Sequence, residues 1–332
     1  MSSSSITINN IKQSTIISTQ VFGISLFIIG VIGHTLSIYV FTRRIFRSNP
    51  CVCYFLASTL SGCVVVYINI PLKLLQVGYN IDVFTYSVAM CQSLTYILNS
   101  VRVLPSWFIA LASIDRFLCS SSSVTLRGWS SMRIAYRAIP CTILFIGIAF
   151  IHVPFYNTIL LPQRSCSIAS VAYRSFFGIW NLVFWSWIPT ICMLVFGLLT
   201  IRHIRQGSRR IVPQNTGNLR QRDQKKINRQ LFQMLLIQSF VFGATTTILS
   251  IGNLYVSITS NLIVKNDIDK ANDTLLVTIV NWIATIGPCT NFYLFVLSSQ
   301  LFRGEVIKLF LWRRPTSTAN TITASHIPQT RN

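Results

Sequence analysis

Acidic side chains are scarce in this sequence. Among its 332 residues, 7 Asp and Glu stand against 28 Lys and Arg, which gives a formal net charge of +21 at pH 7. Charged residues of both signs make up only 11% of the chain, whereas 52% are hydrophobic. So apolar a composition excludes an ordinary soluble domain and, with it, a cytosolic enzyme. The basic residues lie between long uncharged runs, which indicates loops that flank membrane spans and argues against a nucleic-acid partner.

The sequence also lacks the residue patterns of a catalytic or metal site. Nine cysteines are present, and none of their spacings is typical of a metal centre. The four histidines lie near different faces and have no acidic neighbour within the apolar runs, so neither a nucleophile and base nor a metal set is expected. We therefore predict a protein that is not an enzyme and has no metal or cofactor.

Seven uncharged runs are long enough to cross a bilayer, whose core of about 30 Å requires roughly 20 mostly apolar helical residues. The runs extend over residues 13–42, 48–72, 83–114, 138–163, 175–201, 230–264 and 274–302. Only Arg102, in the third run, interrupts them. Their prolines are expected to kink the helices without breaking them, because neighbouring helices satisfy the freed carbonyls. These prolines are Pro71, Pro105, Pro154, Pro189 and Pro288. We predict an all-α fold, a seven-transmembrane helix bundle.

The distribution of basic residues predicts the orientation of the bundle. Three loops and the C-terminal tail carry 21 Lys and Arg on one side, against 6 on the other, and positive loops face the cytoplasm. This places the N-terminus outside, and its first residues lack the features of a signal peptide. We predict an extracellular N-terminus at residues 1–16, a spanning domain at 17–311 and a cytoplasmic tail at 312–332. The basic segment 202–229 is expected to be a flexible cytoplasmic loop.

The two ends of the third run carry different chemistry. Cys91 lies near the outer end and can pair with Cys166, in the loop between spans four and five, since both face the oxidising side. Asp115, Arg116 and Phe117 stand at the inner end, and Arg116 follows Cys91 by 25 residues. That is about 37 Å along a helix, the thickness of a bilayer with its interfaces. The carboxylate can hold the guanidinium aside in a resting state. Alternatively, the arginine merely snorkels to the interface.

This pattern resembles the rhodopsin-like (class A) family of G-protein-coupled receptors, over nearly the whole chain. The family's Asp-Arg-Tyr motif is matched at residues 115–117, its helix-five proline by Pro189, and the start of its short amphipathic eighth helix by residues 302–303. The resemblance implies a disulfide between Cys91 and Cys166, and G-protein coupling at the Asp-Arg-Phe motif. It also implies an extracellular ligand, a heterotrimeric G protein and arrestin as partners, and residence in the plasma membrane.

Several positions depart from the family's usual residues. Helix one has His34 in place of Asn, and helix two has Leu60 in place of the sodium-site Asp. Helix six keeps an aromatic residue at Phe242, whereas the family's Trp and Pro fall on Thr246 and Ile248. Sodium modulation is therefore not expected.

The helix-seven motif is altered as well. Its Asn-Pro-x-x-Tyr becomes a segment that begins at Asn291 and ends at Phe295. The residues predicted to act in activation are Pro189, Phe242, Asn291 and Phe295. The seventh run has no lysine, which excludes a light-sensing opsin. The chain resembles a divergent member of the family, closest in character to invertebrate neuropeptide receptors of the FMRFamide type.

Arg102 predicts a binding pocket. An arginine at a helix centre costs roughly 2.5 to 3.5 kcal/mol, so it normally faces a cavity or a partner. It lies 11 residues, about 16 Å, inward of Cys91. We predict that it binds an anionic or carbonyl-rich ligand group, such as a peptide carboxyl end. The polar residues predicted beside it are Asn99, Asn181, Asn253 and Asn281. Two alternatives stay open: Arg102 is satisfied by carbonyls freed by Pro105, by Asn99 or by water, and each Asn only joins two helices.

The chain is therefore predicted to be a receptor that binds an extracellular ligand, expected to be a neuropeptide, and activates a heterotrimeric G protein. A glycosylation sequon stands at Asn272, and the tail hydroxyls suit arrestin recruitment after phosphorylation. Two other functions stay open: a non-signalling decoy receptor, given the altered seventh helix, and an anion or solute transporter that uses Arg102. The odd number of spans and the lack of an internal repeat count against transport.

Overall fold

Seven long helices, α1 to α7, and a shorter one, α8, form most of the computed structural model, which describes residues 3–47, 49–161, 164–210, 219–262 and 264–310. The helices are α1 Ser3–Phe41, α2 Pro50–Gly78, α3 Val88–Ser120, α4 Met132–Ala149, α5 at residues 171–210, α6 Leu219–Leu262, α7 Asp267–Ser298 and α8 Gln300–Phe310. Short helical turns lie at Arg44–Arg47, Val83–Thr85, Val124–Gly128 and Val153–Tyr156. Within the described residues, seven helices are long and apolar enough to cross a membrane, so the predicted seven-span bundle is confirmed.

Several helices extend beyond the uncharged runs that predicted them. Helix α1 already begins at Ser3, so most of the segment predicted as an N-terminal extension, residues 1–16, is helical. The segment 202–229, expected to be a flexible loop, is helical at both ends, over residues 202–210 and 219–229. An α-helix satisfies its own backbone hydrogen bonds, so it does not have to end where the hydrocarbon ends. The predicted tail, residues 312–332, lies outside the described residues.

Helix α3 occupies the centre of the bundle. It packs against α2, α4, α5 and α6, while α1 lies along α7 and α2. Where α1 meets α2, Gly62 allows an unusually close approach: a Cβ added there would lie 2.5 Å from Cε1 of His34. His34, the residue that replaces the family's Asn, is therefore buried against a glycine backbone. From the centre of the bundle, α3 contacts more of the other long helices than a peripheral helix could.

An aromatic cluster holds the end of the bundle at which Asp115 and Arg116 lie, which we call the inner end; the end at Cys91 is called the outer end. Phe41 of α1 stacks on Phe55 of α2 with ring centroids 5.8 Å apart, and Phe295 of α7 lies 5.3 Å from Phe55. Phe302 of α8 lies 5.4 Å from Phe41 and is fully buried. Aromatic pairs at such distances add stabilisation beyond their buried area. Arg303, the residue after Phe302, is exposed, so α8 is a short helix with a buried aromatic and an exposed charge at the place where an eighth helix was predicted.

Two helices widen into π-helical turns beside a proline. In α2, π turns at Val65–Asn69 and Leu74–Gly78 flank the segment that contains Pro71. In α5, a π turn at Asn181–Trp187 precedes Pro189. Proline has no N–H, and a wider turn redistributes the hydrogen bonds that its ring disrupts. The helices continue through Pro71 and Pro189, so the prediction that prolines do not break them is confirmed at these two positions.

Pro154 is an exception to that prediction. Helix α4 ends at Ala149, and Pro154 lies in the separate turn Val153–Tyr156. Proline is favoured in the first turn of a helix, where its missing N–H has no intrahelical partner. The fourth span is therefore interrupted near its outer end.

A β-hairpin covers the outer end of the bundle. Strands β1 Asn157–Leu160 and β2 Ser165–Ile168 pair antiparallel, with Cys166 opposite Ile159. A disulfide joins Cys166 to Cys91 in the first turn of α3, so the predicted pairing is confirmed. The bundle is all-α, as predicted, but the sequence did not predict this hairpin in the loop between α4 and α5. Its four-residue strands are too short to show a clear alternation.

Candidate functional site

Two adjoining cavities open beneath the hairpin. The first, of about 300 Å³, lies towards α1, α2 and α7, and the second, of about 470 Å³, lies towards α5 and α6. Asn99 and Arg102 of α3 and Asn281 of α7 line both cavities. Asn181 of α5 and Asn253 of α6 line the second. The structure therefore brings all five predicted pocket residues together around one central arginine.

Arg102 has two contacts that fix its guanidinium. Its Nη2 donates to Oδ1 of Asn281 over 3.0 Å, and its Cζ lies 4.5 Å from the ring centroid of Trp185, on the π turn of α5. The second contact is a cation–π interaction. Asn99, considered above as a partner, instead donates from Nδ2 to the carbonyl of Thr95. Arg102 is thus held between α7 and α5, in the wall of both cavities.

The asparagine amides are oriented by their own helices. Nδ2 of Asn281 donates to the carbonyl of Val277 over 2.7 Å, and Nδ2 of Asn181 donates to Phe177 over 2.8 Å. A bond from the amide nitrogen to the preceding turn directs the carbonyl oxygen away from that turn. In Asn281 this oxygen accepts from Arg102, so this residue does join two helices, as the alternative interpretation expected.

Lys73 also lines both cavities, and sequence reasoning missed it. The sequence treated Lys73 as the charge that closes the second span, but α2 continues to Gly78. Its Nζ donates to Oε1 of Gln76 over 2.8 Å, and Nε2 of Gln76 donates to Oδ2 of Asp82. Nζ also lies 5.4 Å from the ring centroid of Phe84. The signal available in the sequence was the proline two residues earlier, which predicted an irregular helix at this point.

At the opposite end of α3, Asp115 and Arg116 form a buried ion pair. Nη2 of Arg116 lies 2.5 Å from Oδ2 of Asp115 and 2.8 Å from Oδ1 of Asn49. Ser130 donates to the other carboxylate oxygen over 2.7 Å. The side chains of Arg116 and Asp115 are only 4% and 6% exposed, so the arginine does not snorkel to an interface. Asn49 and Ser130 were not predicted as partners of the pair.

The surroundings of this ion pair are closed. Met193 of α5 and Leu235 of α6 are buried beside Arg116. Phe117, the last residue of the predicted motif, points towards α5, where its ring lies 5.4 Å from Phe196 and 5.1 Å from His203. The inner ends of α3, α5 and α6 therefore pack together, and the small space between them beside Arg116 has no room for a water molecule.

The predicted switch residues lie in different layers of the bundle. Phe242 of α6 is buried in the middle, below the two cavities. Four residues later, Thr246, in the place of the family's Trp, hydrogen-bonds to Ser186 on the π turn of α5 over 3.1 Å. Asn291 is buried in α7, and Phe295 belongs to the inner aromatic cluster. Phe295 has no hydroxyl, so it packs where a tyrosine would also hydrogen-bond.

Leu60 does not occupy the interior position that the resemblance assigned to it. Its side chain is 50% exposed, on the outside of the bundle. The interior face of α2 at this level carries Ser58, whose Oγ donates to the carbonyl of Pro105, and Ser61. Leu60 was aligned through Leu56 and Ala57, which match the Leu-Ala of the family's helix-two motif. An alignment on two residues is accurate only to one or two positions, and a shift of one position rotates a helical side chain by about 100°. Whichever residue of α2 occupies the sodium-site position, it is not a carboxylate, since residues 50–78 contain no Asp or Glu.

A further hydrogen bond ties the inner end of α6 to the junction of α7 and α8. Ser299, between these two helices, donates from Oγ to Oε1 of Gln230 over 3.0 Å. Both side chains are buried. At the outer end of α7, Asn272 of the sequon is exposed, and its neighbour Asp273 pairs with Lys265.

Comparison with known proteins gives one finding that identifies the family. The family described as 7 transmembrane receptor (rhodopsin family) matches residues 33–293, which is more than three quarters of the chain. The match extends from α1 to α7 and includes the disulfide and the buried ion pair. No curated protein matches the chain. The chain therefore belongs to the rhodopsin family of seven-transmembrane receptors, so it is a multi-pass membrane receptor and not an enzyme.

Proposed function

We propose that this receptor lies in the plasma membrane with its N-terminus outside, binds an extracellular ligand in the paired cavities, and activates a heterotrimeric G protein at the inner ends of α3, α5 and α6. One observation carries the proposal. Helix α3 presents Arg102 to the cavities and holds Arg116 in a buried ion pair at its other end. A single helix thus contacts the proposed site of the ligand and the proposed site of the partner.

The route from one site to the other uses contacts between helices. A ligand that binds the remaining edge of Arg102 pulls on a guanidinium that Asn281 and Trp185 hold, and so acts on the π turn of α5 that carries Trp185. The same turn carries Ser186, which is bonded to Thr246 of α6. A shift of this turn therefore reaches α6. Outward movement of α6 would open the closed inner end and free Arg116, which is a two-state change biased by the ligand.

A peptide is the ligand class that the shape of the outer site supports. Beyond the two cavities lies a third, wider one of about 830 Å³, lined by Arg174, Lys265 and Asp273 among others. It shares Val277 and Arg174 with the second cavity. A chain molecule can place its end beside Arg102 and extend outwards through this wider space. After activation, the tail hydroxyls, which lie outside the described residues, would recruit arrestin once phosphorylated.

The proposal is tested by the loss of signalling in Arg116→Ala. Cells that express this variant should lose basal and peptide-stimulated G-protein activation, at surface levels equal to those of the wild type. The matched control is Arg133→Ala, which removes an exposed arginine from the same side of the membrane and should retain at least half of the signal. If a well-expressed wild type gives no Arg116-dependent signal with any peptide pool, the coupling proposal is wrong. An anion-flux assay would then separate a transporter from a decoy receptor.

We predict that Gln230→Ala and Ser299→Ala each raise ligand-independent signalling two- to tenfold. Both variants remove the hydrogen bond that ties α6 to the junction of α7 and α8. A buried hydrogen bond contributes about 0.5 to 1.5 kcal/mol, and 1.4 kcal/mol is a factor of ten in an equilibrium.

The double variant distinguishes this tether from unrelated damage. If the two side chains act through one bond, Gln230→Ala with Ser299→Ala should signal no more than the stronger single variant. The proposal would be wrong if the fold-increases of the two single variants multiplied in the double variant. It would also be wrong if basal signalling fell while surface expression stayed normal.

A further inference from the structure

We propose that the cavities bind a carboxylate between Lys73 and Arg102, so that the receptor selects ligands with a free acid group over their amides. The inference rests on the proposed function and specifies its ligand. It goes against the FMRFamide-type resemblance, because the ligands implied there end in an amide. A carboxylate occurs at the C-terminus of a peptide and in small organic acids, and the two sources share this chemistry.

The charges around the cavities have one sign. Among the described residues, Lys73, Arg102 and Arg174 line the first two cavities, and no Asp, Glu or His does so. Oδ1 of Asp82 accepts from the backbone N–H of Phe84 and its Oδ2 accepts from Gln76, so this nearby carboxylate is engaged outside the lining. An amine ligand would meet cations and no counter-ion. An anion would meet two cations in the lining of both cavities, with Asp82 the one carboxylate near them among the described residues, and opposite charges attract.

Arg102 is oriented to receive two oxygen atoms. A guanidinium has five N–H donors in a planar fork. The described structure pairs one donor of Arg102, on Nη2, with Asn281, and Trp185 covers one face of the plane. These contacts fix the orientation of the plane and leave its remaining edge for the ligand. Arginine binds carboxylates through two parallel hydrogen bonds with this geometry. The fork is therefore set before the ligand arrives, which reduces the entropy lost on binding.

Lys73 provides the second cation from another helix. It lies between the two π turns of α2, and it lines both cavities together with Arg102. Its Nζ donates to Gln76, and an ammonium has three donors, so it can contact a ligand without losing that bond. Two cations in one cavity repel each other, and an anion between them adds two attractions over shorter distances, which outweigh this repulsion. The π turns are consistent with such a use, since they occur frequently at functional sites.

The first experiment measures thermal unfolding of the purified full-length receptor. The probes are a pentapeptide library made once with free carboxyl ends and once with amides, and a pool of small monocarboxylic acids with the matching primary amides. We expect at least one acid pool to raise the unfolding temperature of the wild type, and its amide counterpart to have no effect. A shift by acid peptides alone identifies a peptide C-terminus, and a shift by small acids alone identifies an organic acid.

Variants assign the effect to the two cations. Arg102→Gln keeps a donor for Asn281 but removes the charge, and Lys73→Gln does the same on α2. Each should weaken binding of the active acid pool about 10- to 100-fold, because a hydrogen bond to a charged group is lost. Arg102→Lys keeps the charge, so its loss should be smaller. Lys12→Gln, an exposed cation on α1 that lines none of the three outer cavities, is the matched control and should bind as the wild type does.

A second readout separates a binding role from a structural one. Without ligand, Arg102→Gln should unfold at the same or a higher temperature than the wild type, because it removes repulsion from Lys73. Equal shifts by acids and amides, no shift by any acid, or an unchanged acid effect in Arg102→Gln would each overturn the proposal. Basal signalling that still depends on Arg116 would show that the proposed coupling survives that outcome.

Discussion

Asp115→Asn is expected to raise ligand-independent signalling about tenfold, because it removes the carboxylate that holds Arg116. In the structure the Arg116 side chain is 4% exposed and bonded to Asp115 and Asn49. A hydrogen bond to a charged group contributes about 1.5 to 3 kcal/mol, and 1.4 kcal/mol shifts a two-state equilibrium tenfold. The loss leaves a buried cation without its counter-ion, and movement of the arginine towards a partner relieves that cost. The measurement is G-protein activation without ligand, normalised to receptor at the cell surface.

Two companion variants change the same network in opposite directions. Ser130→Ala removes one hydrogen bond to Asp115 but keeps the ion pair, so it should raise basal signalling in the same direction and less. Asn49→Asp keeps the side-chain oxygen that caps α2 and adds a second anion beside Arg116, so it should lower basal signalling. If Asp115→Asn signals less than the wild type at equal surface expression, the carboxylate does not restrain Arg116.

The spans were predictable because a bilayer imposes one requirement on every helix that crosses it. Backbone groups must be satisfied within the segment, so long uncharged runs leave few other structures available. The pairing of Cys91 with Cys166 followed from the resemblance, and the structure contains it. The ends of the helices were not predictable in the same way. Charged residues such as Lys73 were taken as boundaries, although they are compatible with a helix that continues to Gly78.

The register of the helices was the weaker part of the prediction. Hydropathy does not distinguish a side chain that faces lipid from one that faces a neighbouring helix, since both surroundings are apolar. Hydropathy could not correct the motif alignment, which assigned Leu60 to the interior: Leu60 lies outside, whereas Ser58 and Ser61 lie inside. Contacts between distant residues were also beyond reach. Arg102 and Asn281 are 179 residues apart, and sequence reasoning placed both in one pocket without pairing them.

At the inner site, too, the sequence predicted contacts between neighbouring residues but not contacts between distant ones. The ion pair of Asp115 and Arg116 was expected because the two residues are adjacent in the sequence and match a motif. Asn49 and Ser130 were missed because each reaches the pair from another segment, the start of α2 and the residues before α4. No periodicity marks such residues, since a single asparagine before a helix is usually only a cap.

Cys166→Ser is expected to lower the unfolding temperature of the receptor by about 5 to 10 °C and to reduce its amount at the cell surface. The disulfide closes a loop with a sequence separation of 75 and ties β2 to the first turn of α3. Removal of such a bond typically costs about 2 to 5 kcal/mol. The matched control is Cys141→Ser, since Cys141 is a free cysteine exposed on α4 and should be replaceable without effect. The unfolding temperature of the purified protein and surface staining of intact cells test the prediction.

Because the disulfide lies beside the cavities, its loss should also affect ligand binding more than basal signalling. Cys166 itself lines the first cavity, and Asn157, on the paired strand, lines both. The ion pair at Arg116 lies at the other end of α3, which the hairpin does not contact. The Cys166→Ser receptors that do reach the surface should therefore keep Arg116-dependent basal signalling but lose most of the stabilisation by carboxylates. The double variant with Cys91→Ser should match the single one, because either change breaks the same bond. Basal signalling lost in proportion to carboxylate binding would instead mean that the outer hairpin maintains the whole bundle.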